Sequence, residues 1–70
     1  MKIKLKKDIY KLEAIKEACK KYQEAGIAEF KCKKKEDEVV VVIDKINDVD
    51  KSILRDEFLN YLISEMKDYL

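Results

Sequence analysis

Residues 39–43 read Val-Val-Val-Val-Ile, and the rest of the predicted fold is built around them. β-branched side chains favour extended backbone, and an unbroken apolar run is typical of a strand that is covered on both faces. We therefore predict a central strand here. Because successive strand residues point to opposite faces, Val41 should face the helices and Val40 the other side of the sheet.

Two further strands are predicted from alternation. Residues 1–7 alternate apolar side chains with Lys2, Lys4 and Lys6, and residues 27–34 alternate apolar side chains with charged ones. Alternation with a period of two is typical of half-buried strands. Residues 34–38 are all charged and separate two extended runs, so they predict a hairpin loop.

The first helix is predicted between these two strands. Apolar side chains recur at three- and four-residue steps from Leu12 to Ala25, with charged side chains on the opposite face. Gly26 follows the last of them and can adopt the left-handed conformation that ends a helix. The helix should therefore stop at this glycine.

The second helix should follow a polar turn, residues 44–50, in which Ile46 and Val49 are expected to pack back against the core. Asp50 or Ser52 can cap this helix. At 100° per residue, its apolar side chains cover an arc of about 200°, wider than one packing face requires. They are Leu54, Phe58, Leu59, Tyr61, Leu62, Ile63, Met66, Tyr69 and Leu70.

The order strand, helix, strand, strand, helix predicts a single α+β domain over residues 1–70. A right-handed crossover makes the first two strands parallel, and inserting the third between them gives the sheet order 2-3-1. Both helices then lie on one face of a two-layer sandwich, which resembles a ferredoxin-like unit that lacks its last strand. The first strand is left as an exposed edge.

Length and charge suggest an associating protein. A 70-residue domain buries only about 60% of the surface of its unfolded chain, so a second copy would help to stabilise it. Residues 1–35 hold 12 lysines against 5 acidic residues, a charge of +7, and residues 36–70 hold 4 basic against 10 acidic residues, a charge of −6. Two such halves can attract one another in a homodimer, or the basic half can bind a partner.

The absence of a long apolar segment leads us to expect a cytoplasmic protein without a membrane span or a signal-peptide core. The regular strand and helix patterns would also suit a designed sequence. The two cysteines and the wide apolar arc of the last helix argue against design.

Two surfaces are candidates for a partner or dimer interface. One is the helix-free face of the sheet, an apolar stripe flanked by lysines, and the other is the outer side of the last helix. The candidate residues are Lys4, Lys31, Lys33, Val40, Val42, Leu59, Asn60 and Ile63. A protein or peptide partner explains exposed valines best. The alternative is a nucleic-acid-binding module, although its sheet face would lack the aromatics on which bases stack.

No catalytic or cofactor-binding constellation is visible, so we predict that the protein is not an enzyme and uses no cofactor. The chain has no histidine, and its acidic residues are spread along solvated faces and loops. A zinc site at Cys19 and Cys32 would need carboxylates or a second chain to complete four ligands. We expect both cysteines to be buried, reduced and free of metal.

One family resemblance covers nearly the whole chain. It rests on Ile9-Tyr10, Glu13-Ala14-Ile15, Ala18, Tyr22, the valine strand and Glu57-Phe58-Leu59-Asn60-Tyr61-Leu62. Together these resemble the small HxsD-like proteins of His-Xaa-Ser systems, which are encoded beside paired radical S-adenosylmethionine enzymes thought to modify a peptide. The resemblance implies an accessory role in peptide maturation and no catalytic residues.

Overall fold

The computed structural model describes residues 1–69, with the side chains of residues 1–68. Its elements are β1 (Lys2–Lys6), α1 (Leu12–Glu24), β2 (Glu29–Lys34), β3 (Glu38–Asp44), α2 (Lys51–Met66) and a 3-10 helix (Lys67–Tyr69). The predicted order of strands and helices is confirmed. In the apolar arc predicted for the last helix, the side chain of Tyr69 and all of Leu70 lie outside the described residues.

The sheet has the order β1-β3-β2, which is the predicted order read from the other edge. β3 is antiparallel to both neighbours, so β1 and β2 run parallel to one another. Val41 lies between Ile3 on β1 and Cys32 on β2, and it is fully buried on the side of the helices. The α+β class and the central position of the valine strand are therefore confirmed.

The core lies between one face of the sheet and the two helices. Phe58 is fully buried at its centre, with ring centroids 5.5 Å from Tyr22 on α1 and 5.3 Å from Phe30 on β2. Tyr22 also packs against Phe30 and against Tyr61, each at 5.6 Å. Edge-to-face and tilted ring pairs of this kind add stability beyond the area that they bury.

Both predicted helix boundaries are found. Gly26 has φ 73°, a left-handed conformation that costs glycine little, and α1 ends just before it at Glu24. Asp50 caps α2: its Oδ1 accepts the Ser52 amide at 2.9 Å, the Ile53 amide at 3.3 Å and the Ser52 hydroxyl at 2.6 Å. The hydrogen bond from the Ser52 hydroxyl makes the largest contribution to lowering the pKa of Asp50.

The prediction for Val49 is wrong, whereas Ile46 does pack against the core. Val49 is 36% exposed because polar contacts hold the connection between β3 and α2 at both ends. The Asn47 amide donates to the Ile27 carbonyl at 3.1 Å, and the Asp50 cap fixes the start of α2. Asp48 between them adopts φ 40°, a turn that directs the chain along the surface.

Candidate partner-binding edge

The backbone of β1 presents hydrogen-bonding groups to an open sheet edge. Met1 and Ile43 exchange both of their backbone hydrogen bonds, at 2.9 and 2.8 Å. Such pairs recur at every second residue of an antiparallel ladder, so the amides and carbonyls of Lys2 and Lys4 point away from β3. At the end of the strand, the Lys6 carbonyl accepts from the turn that follows.

The opposite edge, on β2, is partly covered. There the outward groups belong to Phe30, Cys32 and Lys34, because Lys35 pairs with the Glu38 carbonyl at 2.8 Å. The Phe30 amide donates a hydrogen bond to Gln23 Oε1 at 3.1 Å. Among the described residues, β1 therefore offers the more accessible edge for strand addition.

One side of α2 carries an apolar strip, which we call the α2 flank: Leu59, Ile63 and Met66. The other side of α2 faces α1, since Tyr61 packs on Tyr22. At 100° per residue, Leu59 and Ile63 lie about 160° around the helix from Tyr61. The flank therefore faces away from α1, which itself packs on β2.

The three side chains of the α2 flank differ in their exposure to solvent. Ile63 is 52% exposed, whereas Leu59 and Met66 are partly buried against the core. Asn60 is exposed on the side of α2 that faces away from the sheet, as the helical wheel predicts. The flank thus combines one open apolar side chain with two partly covered ones.

The helix-free face of the sheet is basic, and we call it the lysine face: Lys2, Lys4, Lys6, Lys31 and Lys33. Glu29 on the same face forms an exposed ion pair with Lys45 at 3.3 Å. Exposed pairs of this kind contribute little to stability. The aromatic rings of Tyr22, Phe30, Phe58 and Tyr61 pack on the opposite, helical side.

The sequence-based expectation of two exposed valines on the lysine face is wrong for one of them. Val40 does lie on this face, but it is only 5% exposed, and Val42 is partly buried. Lys4 and Lys33 flank Val40 on the two neighbouring strands. Lysine stems lie along apolar surface while their ammonium groups stay in water, which explains this burial.

The structure also brings Cys19 and Cys32 into direct contact, which the sequence did not predict. Cys19 is buried as expected, but Cys32 is only partly buried, and their Sγ atoms are 3.1 Å apart. The sequence did indicate that these two cysteines lie on apolar faces of the fold. Cys19 lies on the apolar stripe of the helix that joins two parallel strands, and Cys32 lies on the inward face of the second of these strands.

Neither metal-binding groups nor membrane-spanning helices are found in residues 1–69. No three cysteine or carboxylate side chains converge on a common point there. No helix in this range combines the length and the apolar composition that crossing a bilayer requires.

The structure therefore divides the candidate residues among three surfaces. Lys4 lies at the β1 edge, Leu59 and Ile63 lie on the α2 flank, and Lys31 and Lys33 lie towards the β2 side of the lysine face. Comparisons with protein-family models, with curated proteins and with solved structures give no match to the chain.

Proposed function

We propose that the protein is a non-catalytic protein- or peptide-binding domain, and that its partner adds a fourth strand along β1. The observation that carries this proposal is that the backbone groups of Lys2 and Lys4 point outward from the edge of the sheet. In strand addition, main-chain hydrogen bonds supply affinity and alternate side chains supply specificity.

The two sides of the β1 edge define the chemistry of the partner strand. On the helix-free side, the incoming residues would lie beside Lys2, Lys4 and Lys6. On the helical side they would lie beside Ile3 and Leu5, which are buried in the core. Opposite charges on adjacent strands attract, and an apolar side chain on the helical side would extend this buried layer. The preferred partner is an extended segment in which acidic and apolar residues alternate.

The resemblance to HxsD-like proteins supports a peptide as this partner. It would give the domain an accessory role in peptide maturation, in which it holds a substrate segment extended while another protein carries out the chemistry. An extended segment suits that role because its side chains alternate between the two faces of the sheet and remain accessible on one of them.

A second copy of the chain is the other candidate partner, as the sequence-based expectation of a homodimer requires. Symmetric pairing of two β1 strands would place lysine opposite lysine, and like charges directly opposite one another are destabilising. We therefore propose that any homodimer uses the apolar α2 flank.

Nucleic acid is a further candidate because five lysines share the lysine face. Lysines that neutralise phosphates give an affinity that falls steeply with salt. However, the aromatic rings of Tyr22, Phe30, Phe58 and Tyr61 are packed among the helices and cannot stack on bases at this face. The strand edge is therefore the preferred proposal.

The proposal can be tested with a fluorescent peptide of about nine residues in which glutamate and valine alternate, long enough to cover β1. In fluorescence anisotropy we expect this peptide to bind, and a peptide of the same composition with its glutamates in one block to bind about tenfold more weakly. The block peptide cannot present acidic and apolar side chains on opposite faces. Equal affinities would contradict the proposal.

Lys4→Glu and Lys33→Glu form a matched pair for this experiment, because both positions flank Val40 on the same face. Lys4→Glu should weaken peptide binding about tenfold, since it sets like charges opposite one another at the binding edge. Lys33→Glu, on the far side of the sheet, should have little effect. If a random oligonucleotide binds instead, with both variants weakening it equally, the nucleic-acid alternative is correct.

A further inference from the structure

Cys19 and Cys32 meet in the interface between α1 and β2. Their Sγ atoms are 3.1 Å apart, about 1 Å more than a disulfide bond of about 2.05 Å. The two residues are 13 positions apart in sequence, and both belong to regular elements. A small adjustment of either side chain would bring the sulfur atoms to bonding distance.

The two thiols differ in access and in electrostatic surroundings. Cys19 is 6% exposed, whereas Cys32 is only partly buried. The hydrogen bond from Cys19 and the charge of Lys16 on α1 together lower the pKa of Cys32 to about 7, against the opposing effect of burial. The same hydrogen bond and burial raise the pKa of Cys19. Cys32 is thus the more acidic and more accessible thiol.

The lysine that acts on Cys32 belongs to a group of neighbouring lysines. Lys16 on α1 favours the negative charge of the Cys32 thiolate. The pKa of Lys34 on β2 is lowered, mainly by hydrogen bonding with Lys16 and also by the charges of Lys16 and Lys7. On β3, the residue opposite Cys32 is the apolar Val41.

We propose that Cys19 and Cys32 form a thiol–disulfide exchange site that is oxidised by a low-molecular-weight disulfide, with Cys32 as the attacking thiol and Cys19 as the resolving thiol. This site is independent of the strand-binding edge, because it lies at the α1–β2 interface. It also departs from the sequence-based expectation of two inert, reduced cysteines.

The exchange proceeds in two steps, in each of which bonds, protons and electrons balance. The Cys32 thiolate attacks one sulfur of the external disulfide, the external S–S bond breaks, and one thiol leaves after taking up a proton. Cys19 then loses its proton to solvent and attacks Cys32 Sγ. The mixed disulfide breaks and the second external thiol leaves. Two electrons pass from the cysteine pair to the external disulfide, which is reduced to two thiols.

Oxidation should also stabilise the fold. The new bond would close a loop that holds α1 to β2, and a disulfide restricts the unfolded chain more than the folded one. For a domain of this size, the expected rise in Tm is on the order of 10 °C. Reduction with dithiothreitol should reverse it.

The reduced 70-residue protein can be incubated with oxidised glutathione near neutral pH and followed by intact mass. We expect the mass to fall by that of two hydrogen atoms, without a stable glutathione adduct. In Cys19→Ser no resolving thiol remains, so glutathione should accumulate on Cys32. In Cys32→Ser the buried Cys19 should react at least tenfold more slowly. Failure of the unmodified protein to lose two hydrogens would overturn the proposal, and this measurement does not depend on the variants.

The pH dependence of iodoacetamide labelling separates this site from two cysteines that merely pack together. Cys32 should be labelled with a midpoint near pH 7. Cys19→Ser retains a hydroxyl donor and should keep a low midpoint, whereas Cys19→Ala removes the donor and should move it towards about 8.5. Identical midpoints in all three proteins would show that Cys19 does not activate Cys32 and would contradict the assigned roles.

Discussion

Val41→Asp is expected to leave the protein unfolded. Val41 is fully buried in the central strand, with its side chain among the core residues beneath the helices. A carboxylate at this position would have no partner, and burying an unpaired charge costs more than a small domain can tolerate. Far-ultraviolet circular dichroism should show loss of structure at room temperature, with no cooperative thermal transition.

The matched control is Val42→Asp, one residue further along the same strand. Val42 is only partly buried and lies on the helix-free face between Lys2 and Lys31. An aspartate there would stay hydrated and would face two lysines, so a folded protein with a similar Tm is expected. If both variants fold equally well, β3 does not have the orientation described above.

The second large loss of stability is expected for Phe58→Ala. The Phe58 ring is fully buried and packs on both Tyr22 and Phe30, so it joins α2 to α1 and to β2. Removing a buried phenylalanine ring costs about 3 to 5 kcal/mol, through lost burial and the cavity that remains. In urea denaturation, the free energy of unfolding should fall by this amount.

Ile63→Ala supplies the control on the same helix. Ile63 is 52% exposed on the α2 flank, so its truncation should lower the free energy of unfolding by less than about 1 kcal/mol. The same substitution removes apolar surface from the proposed homodimer interface and should weaken self-association. If Ile63→Ala destabilises the protein as much as Phe58→Ala does, the flank belongs to the core and is not free to bind a partner.

The features that local chemistry determines were predictable from the sequence. The β-branched run of residues 39–43 identified the central strand, and short connections together with the crossover rule then left one economical sheet order. Gly26 marked the end of the first helix, and Asp50 was one of two candidates, with Ser52, for the cap of the second, because each has a specific backbone role there. These signals act over a few residues and do not depend on tertiary contacts.

The features that were missed depend on distant neighbours. Val40 is buried because lysines on both adjacent strands cover it, which alternation along one strand cannot show. Val49 is exposed because Asn47 ties the connection to the Ile27 carbonyl. The contact between Cys19 and Cys32 requires the relative position of α1 and β2 to within an ångström, which no helical wheel supplies.

The sequence located only part of the candidate partner surface. The sequence indicated an open first strand, lysines on one sheet face and surplus apolar side chains on the last helix. It did not show that Tyr61 would pack on α1, which leaves Leu59 and Ile63 on the other side of α2. The open strand edge and this apolar flank are therefore two separate candidate surfaces.

Hydrogen exchange at the Lys4 amide tests the proposed strand addition most directly. This amide points away from β3, so in the free protein it should exchange quickly, unlike the neighbouring amides of Ile3 and Leu5. With the alternating glutamate–valine peptide bound, protection of the Lys4 amide should rise at least tenfold, while the Cys32 amide on the β2 edge is unchanged. Protection that rises with protein concentration alone would identify a second copy as the partner at this edge. Peptide binding that leaves the Lys4 amide exchanging as fast as before would contradict strand addition at β1.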